Sequence, residues 1–157
     1  MKILIVYYSR TGTTKKVAEK IRGGLNCDIE EIIPVKNHKG ILGFFLCGKE
    51  STQKILPTIN LAIKNPADYD LIILGTPIWA LSISSPMRAY LENNKEKFKK
   101  LAFFCTMGGT GNEQVCAEIE KICGKKTLTR MALQTKEAQS KESLEKIEGF
   151  IKSIIRI

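Results

Sequence analysis

The residues best suited to chemistry are Ser9-Arg10-Thr11-Gly12-Thr13-Thr14, four hydroxyls around one glycine. Before them, Ile3-Leu4-Ile5-Val6-Tyr7-Tyr8 reads as a buried strand; after them, Lys15 leads into a helical pattern through Val17, Ala18 and Ile21. A hydroxyl-rich turn between a strand and a helix N-terminus suits a phosphate. The turn supplies O–H and N–H donors, and the helix dipole adds partial positive charge. A plain N-cap needs only one side-chain oxygen. The turn lacks the Gly-x4-Gly-Lys-Ser/Thr run of a P-loop and the three glycines of a dinucleotide fingerprint. No cysteine nucleophile stands at the strand end, and Tyr7-Tyr8-Ser9 offers no carboxylate to accept a phosphoryl group. The loop is read as one that holds a phosphate without reacting with it.

Two further loops have unusual composition. Thr76-Pro77-Ile78-Trp79-Ala80 follows the apolar run Leu71-Ile72-Ile73-Leu74 and contains the only tryptophan. Thr106-Met107-Gly108-Gly109-Thr110-Gly111 follows a second apolar run, residues 101–105. The elements around them alternate. Strands are expected at residues 2–8, 27–35 (closed by Pro34), 71–74 (ended by Gly75-Thr76-Pro77), 101–105 and 127–133. Helices are expected at 14–25, 85–97, 112–123 and 141–155, with Pro86 in a first helical turn. Residues 58–64 read as a short helix, and the apolar stretch 40–47 as a helix or turn covering the sheet. Three strands apolar throughout imply a parallel sheet covered on both faces. Five strands in this pattern fit a doubly wound α/β sheet of order 2-1-3-4-5. Ligands then bind beyond the carboxyl ends of the strands, at the switch point between strands one and three. That rule gathers all three unusual loops at one place.

The 157 residues fit one domain, 1–157, with 43% hydrophobic and 26% charged residues, an ordinary soluble balance. No apolar run approaches the roughly 20 residues of a membrane span. The five cysteines form no Cys-x-x-Cys pair, and one histidine leaves no zinc pattern, so no metal site is expected. Such cysteines suit a reducing cytoplasm, Cys105, Cys116 and Cys123 being read as packing groups. His38 is read as a surface residue. The 25 basic against 16 acidic residues give a net charge of +9. Lysine clusters at 15–16, 95–100 and 125–126 carry no base-stacking aromatics, so nucleic acid is not the expected partner; an acidic protein surface is the alternative to plain solvation.

At these three loops the chain resembles the flavodoxin family, over essentially its whole length. The resemblance implies a flavodoxin-like fold and FMN as cofactor. Ser9, Thr11, Thr13 and Thr14, with the N–H groups around Gly12, resemble the FMN phosphate loop, where Arg10 either adds charge or points to water. Thr76, Pro77, Ile78, Trp79 and Ala80 resemble the loop that lays an aromatic ring on one flavin face. Thr106, Met107, Gly108, Gly109 and Gly111 resemble the loop at the other face and the pyrimidine edge. Two departures stand out. Where many electron carriers have a glycine beside flavin N5, Ala80 stands here. Positive φ costs a non-glycine residue about 1–2 kcal/mol, so less stabilisation of the one-electron-reduced flavin is expected. The later loop also lacks an aromatic, leaving the outer flavin face open. The function implied is electron transfer between redox partner proteins, with no catalytic residue required. The alternative is an FMN-dependent NAD(P)H:quinone-type oxidoreductase.

Overall fold

The computed structural model describes residues 1–35, 56–60 and 62–157. Strands β1 (Ile3–Tyr7), β2 (Asp28–Glu31), β3 (Leu71–Trp79), β5 (Leu101–Met107) and β6 (Thr127–Gln134) form a parallel sheet in the order β2-β1-β3-β5-β6. A two-residue strand, β4 (Ser82–Ile83), pairs antiparallel with the end of β3. With that hairpin set aside, the order is the doubly wound one expected from the sequence.

Alternation along the buried strands separates two cores. Ile3, Ile5 and Tyr7 of β1, with Ile73 and Phe104, face α1 (Thr13–Leu25) and α4 (Lys141–Ile155). Leu4, Val6, Leu74, Phe103 and Cys105 face α2 (Ser85–Asn94) and α3 (Asn112–Cys123). Burial pushes the Cys105 thiol up to about 12, which keeps it a neutral packing group. Among the described residues no helix is long and apolar enough to cross a membrane.

Among the described glycines, packing is tightest at Gly75, where β3 passes between its neighbours. A methyl group there would lie 2.3 Å from Phe104 Cζ and 2.9 Å from Tyr7 Cβ. Gly75→Ala is therefore expected to lower stability by about 1–3 kcal/mol, the usual cost of overpacking, as read from urea unfolding.

Four sequence expectations are corrected. Strand β3 does not end at residues 75–77 but runs to Trp79. Tyr7, the last residue of β1, pairs with Gly75, so at Thr76 and Pro77, before β4 pairs with Ile78 and Trp79, β3 is flanked by β5 alone, and Pro77 is tolerated there. Residues 58–60 and 62–64 are not helical: Ile59 bridges Pro34 antiparallel, and the Val35 N–H donates to the Thr58 carbonyl at 2.9 Å. This pairing extends the chain past β2, which itself stops at Glu31 rather than Val35. Residues 95–97 form a 3-10 turn after α2 instead of its last turn. Most of the segment 38–66, including 40–47 and His38, lies outside the described residues.

Candidate functional site

The carboxyl ends of β1, β3 and β5 bring the three loops together. The Tyr8 N–H donates to the Gly75 carbonyl at 2.9 Å, and Pro77 is in register with Thr106. Across 92 residues of sequence, the Thr14 and Thr106 hydroxyls are hydrogen-bonded at 2.8 Å in a buried position. Thr76 Oγ1 and Ser84 Oγ form a second buried pair at 2.9 Å. These threonines are thus part of the scaffold as well as of the loops.

Around them the first loop stays accessible. Thr11 is exposed, and Ser9, Arg10, Gly12 and Thr13 are half-buried. Gly12 precedes α1 with φ 89°, a left-handed conformation that glycine adopts without a Cβ penalty. Its N–H donates to Ser9 Oγ at 3.1 Å, closing the turn. Helix α1 begins with no side-chain cap and no acidic residue in its first turn, among the described residues. Its leading N–H groups therefore keep their capacity for an anion. By contrast, α4 is capped by Ser140, whose hydroxyl accepts from the Ser143 N–H.

The second loop is a hairpin. Trp79 and Ser82 are paired in register, so the turn consists of Ala80 and Leu81 alone. Their φ angles are 47° and 61°. Positive φ at both central residues is the signature of a type I′ turn, which normally selects Asn-Gly. Here an alanine and a 53% exposed leucine occupy it. The left-handed cost that the sequence suggested for Ala80 is therefore already present in the resting hairpin. Replacing the pair by Asn-Gly (Ala80→Asn with Leu81→Gly) is expected to raise apoprotein stability by about 1 kcal/mol in urea unfolding. A decrease would mean that the leucine contact described next outweighs the backbone relief.

The loops touch at Gly111 (φ 118°). A methyl there would come within 3.2 Å of both Ile78 Cγ2 and Leu81 Cδ2, so the third loop packs directly under the hairpin tip. Half-buried Trp79 meets the ring of Tyr8 edge to face, with centroids 5.5 Å apart and planes at 88°. Gly108, Gly109 and Thr110 are exposed, Met107 is half-buried, and this loop carries no aromatic.

Several contributors were not evident in the sequence. Gln134 Nε2 donates to the Gly109 carbonyl at 2.6 Å, and the Thr135 N–H donates to the Met107 carbonyl at 2.7 Å. Both come from the end of β6 and fix the third loop from a distant part of the chain. Glu118 of α3 holds the hairpin: its carboxylate accepts from Ser82 Oγ at 2.9 Å, the Ile83 N–H at 3.0 Å and the Arg88 guanidinium. Burial favours the protonated Glu118, but the Ile83 N–H, Arg88 and Ser82 outweigh it and hold the carboxyl below the usual range. Tyr7 turns away from the loops into the α1 core, its hydroxyl donating to Glu31 at 2.9 Å.

The family model described as Flavodoxin matches residues 2–149. The chain belongs to the flavodoxin family. Among solved structures, this flavodoxin chain is similar to a flavoprotein from Lactobacillus acidophilus in complex with FMN. The identity is 25%, the TM-score 0.74, and the match covers 83% of this chain and 92% of that one. A protein of Bacteroides eggerthii solved as a candidate flavoprotein has 22% identity and a TM-score of 0.76, over 99% and 98% of the two chains. Oxidised flavodoxin 1 from Bacillus cereus shares the fold at 17% identity and a TM-score of 0.63, over 99% and 98%. Chemically, the three loops offer donors suited to an anion at the start of α1 and a half-buried indole one strand away.

Proposed function

We propose that this flavodoxin binds FMN at the three loops and passes electrons between partner proteins. One observation carries the reading. An uncapped, acid-free helix start, flanked by the accessible hydroxyls of Ser9, Thr11 and Thr13, stands beside a half-buried indole on the neighbouring strand. That donor set suits a ligand with a terminal phosphate at one end and a flat apolar ring at the other.

When bound, FMN supplies the redox chemistry, and the protein supplies grip, orientation and surroundings. Ser9, Thr11 and Thr13, with the N–H groups that follow Gly12, hold the phosphate. A hydroxyl donates once and accepts twice. Thr14 can therefore accept from Thr106 and still donate its own proton to a phosphate oxygen. Arg10 adds positive charge at the same end. Pro77, Ile78 and Trp79 carry the ring on one side, with Thr76 buried beneath and Ala80 at the hairpin tip. Met107, Gly108, Gly109 and Gly111 present backbone to its polar edge.

The exposed third loop, with no aromatic cover, supports a second reading: reduction of a quinone by NAD(P)H at an open flavin face. Steady-state turnover separates the two. The carrier reading expects negligible NADH or NADPH oxidation with a quinone unless a partner reductase is added; rapid turnover by the protein alone supports the reductase.

The carrier reading goes with a reducing cytoplasm and gives its partner an acidic docking surface, since Lys16 stands at the loop end of the molecule beside Lys15, which is itself paired with Glu31 at 3.1 Å. The clusters at 95–100 and 125–126 precede β5 and β6 and so lie at the opposite pole. Raising ionic strength is expected to slow transfer to that partner, because screening shortens the reach of charge to about 10 Å at 0.1 M salt. A salt-independent transfer rate, measured by stopped flow, would count against the acidic surface.

A further inference from the structure

The β3–β4 hairpin lacks the usual means of holding its shape. Strand β4 has two residues, and it pairs with β3 only through Ile78–Ile83 and Trp79–Ser82. Its turn places two non-glycine residues at positive φ. A pairing so short, with so unfavourable a turn, has little stability of its own. The Thr76–Ser84 hydroxyl pair ties its base, and what holds β4 itself comes from α3. The Glu118 carboxylate accepts from Ser82 Oγ and the Ile83 N–H, which are the two residues of β4, and from Arg88 in the first turns of α2. Arg88 Nη2 also donates to Ser82 Oγ at 2.9 Å, closing the group. The arginine is 5% exposed, and its Nε is buried with no hydrogen-bond partner among the described residues. Its buried charge therefore leans on Glu118.

We propose that Glu118, outside all three loops, is a positioning residue for the aromatic platform: its carboxylate fixes the hairpin and thereby the plane that Trp79 offers to the flavin ring. The inference rests on the FMN-binding reading, but its first consequence is visible without any flavin. Helix α3 starts at the third loop, beside Gly111, which packs against Ile78 and Leu81. Glu118 thus ties the hairpin to the same helix that carries the loop across the site. Loss of its charge loosens the ring end and leaves the phosphate end, on β1 and α1, unchanged.

The test uses Glu118→Gln and the paired replacement Arg88→Met with Glu118→Leu. The pair removes the clamp without leaving a buried guanidinium uncompensated, so it keeps the fold if the single variant does not. Because Trp79 is the only tryptophan, its emission and acrylamide quenching in the apoprotein report the hairpin directly. Both variants are expected to show a red-shifted, more quenchable Trp79 with native far-UV dichroism. In flavin titrations, the dissociation constants for FMN and riboflavin are expected to rise together, on the order of tenfold, the low end of what losing an outer hydrogen-bond partner costs at metal sites. Their ratio, which reports the phosphate grip, should stay at the wild-type value. Wild-type Trp79 emission and riboflavin affinity in a folded Glu118→Gln protein would overturn the inference, as would a loss confined to FMN. Failure of the wild-type protein to bind FMN would instead sink the functional reading, and Trp79 emission would still decide the clamp.

Discussion

Replacing Trp79 by alanine is expected to weaken FMN binding by about 10- to 100-fold while leaving the fold in place. Stacking a flat heterocycle on an aromatic side chain is worth roughly 1–3 kcal/mol by alanine substitution, and this tryptophan is the only large aromatic at the hairpin. It is half-buried, so one part of the indole packs against Tyr8 and the rest is available to a ligand. The core beneath is closed by Ile83, Met87 and Tyr90, all fully or almost fully buried. Truncation at the rim should therefore cost affinity more than stability. Trp79→Phe should recover a large part of the loss, since a smaller ring still stacks. Fluorescence titration with FMN, alongside urea unfolding of the apoprotein, measures both quantities. Unchanged affinity in the alanine variant would mean that the ring lies elsewhere.

The second large effect concerns the phosphate. Riboflavin, which lacks it, is expected to bind about 100- to 1,000-fold more weakly than FMN. A hydrogen bond to a charged group contributes about 1.5–3 kcal/mol, and the first turn of α1 adds its dipole. Two such bonds suffice for the difference. Ser9→Ala and Thr13→Ala should each narrow the gap between the two flavins by weakening FMN alone. Acidity should narrow it as well. The phosphate takes up a proton near pH 6, so its charge falls from two towards one as the pH drops through that value, and FMN affinity falls with it while riboflavin affinity stays level. Equal affinity for the two flavins at neutral pH would show that the hydroxyl turn does not hold the phosphate.

The parts of the fold that could be read from the residues are those fixed by local pattern. Helices α3 and α4 begin and end where the apolar stripes and the flanking glycine and serine place them, at Asn112–Cys123 and Lys141–Ile155. The all-apolar strands could only be buried on both faces, and with five strands alternating with helices that requirement fits a doubly wound sheet. What local pattern could not supply was anything decided by register. Pro77 reads as a strand end, yet it is accommodated because β1 stops at Tyr7 and leaves that edge of β3 open. The Ala80-Leu81 turn carries no Asn-Gly signal and is held by Glu118, 36 residues beyond Ser82. Thr58, Ile59 and Asn60 become extended because they meet residues 33–35, a pairing with no sequence signature.

The site divides in the same way. Its three loops were recognisable because hydroxyls, a lone tryptophan and clustered glycines are unusual at strand ends. The division of labour within them was not. Thr14, Thr76 and Thr106 are buried and bonded to other side chains, whereas Ser9, Thr11 and Thr13 remain accessible. Only the packing of α1 and β4 against the ends of β3 and β5 separates the two groups. Gln134 and Thr135, which brace the third loop from β6, carry no chemical signal of their own.

The most direct test of the account is titration of FMN with the apoprotein at micromolar concentration and neutral pH, following flavin fluorescence. Quenching is expected to saturate at one flavin per chain, with a matching change in Trp79 emission. Flavin fluorescence that stays undiminished through a several-fold excess of folded apoprotein would contradict it.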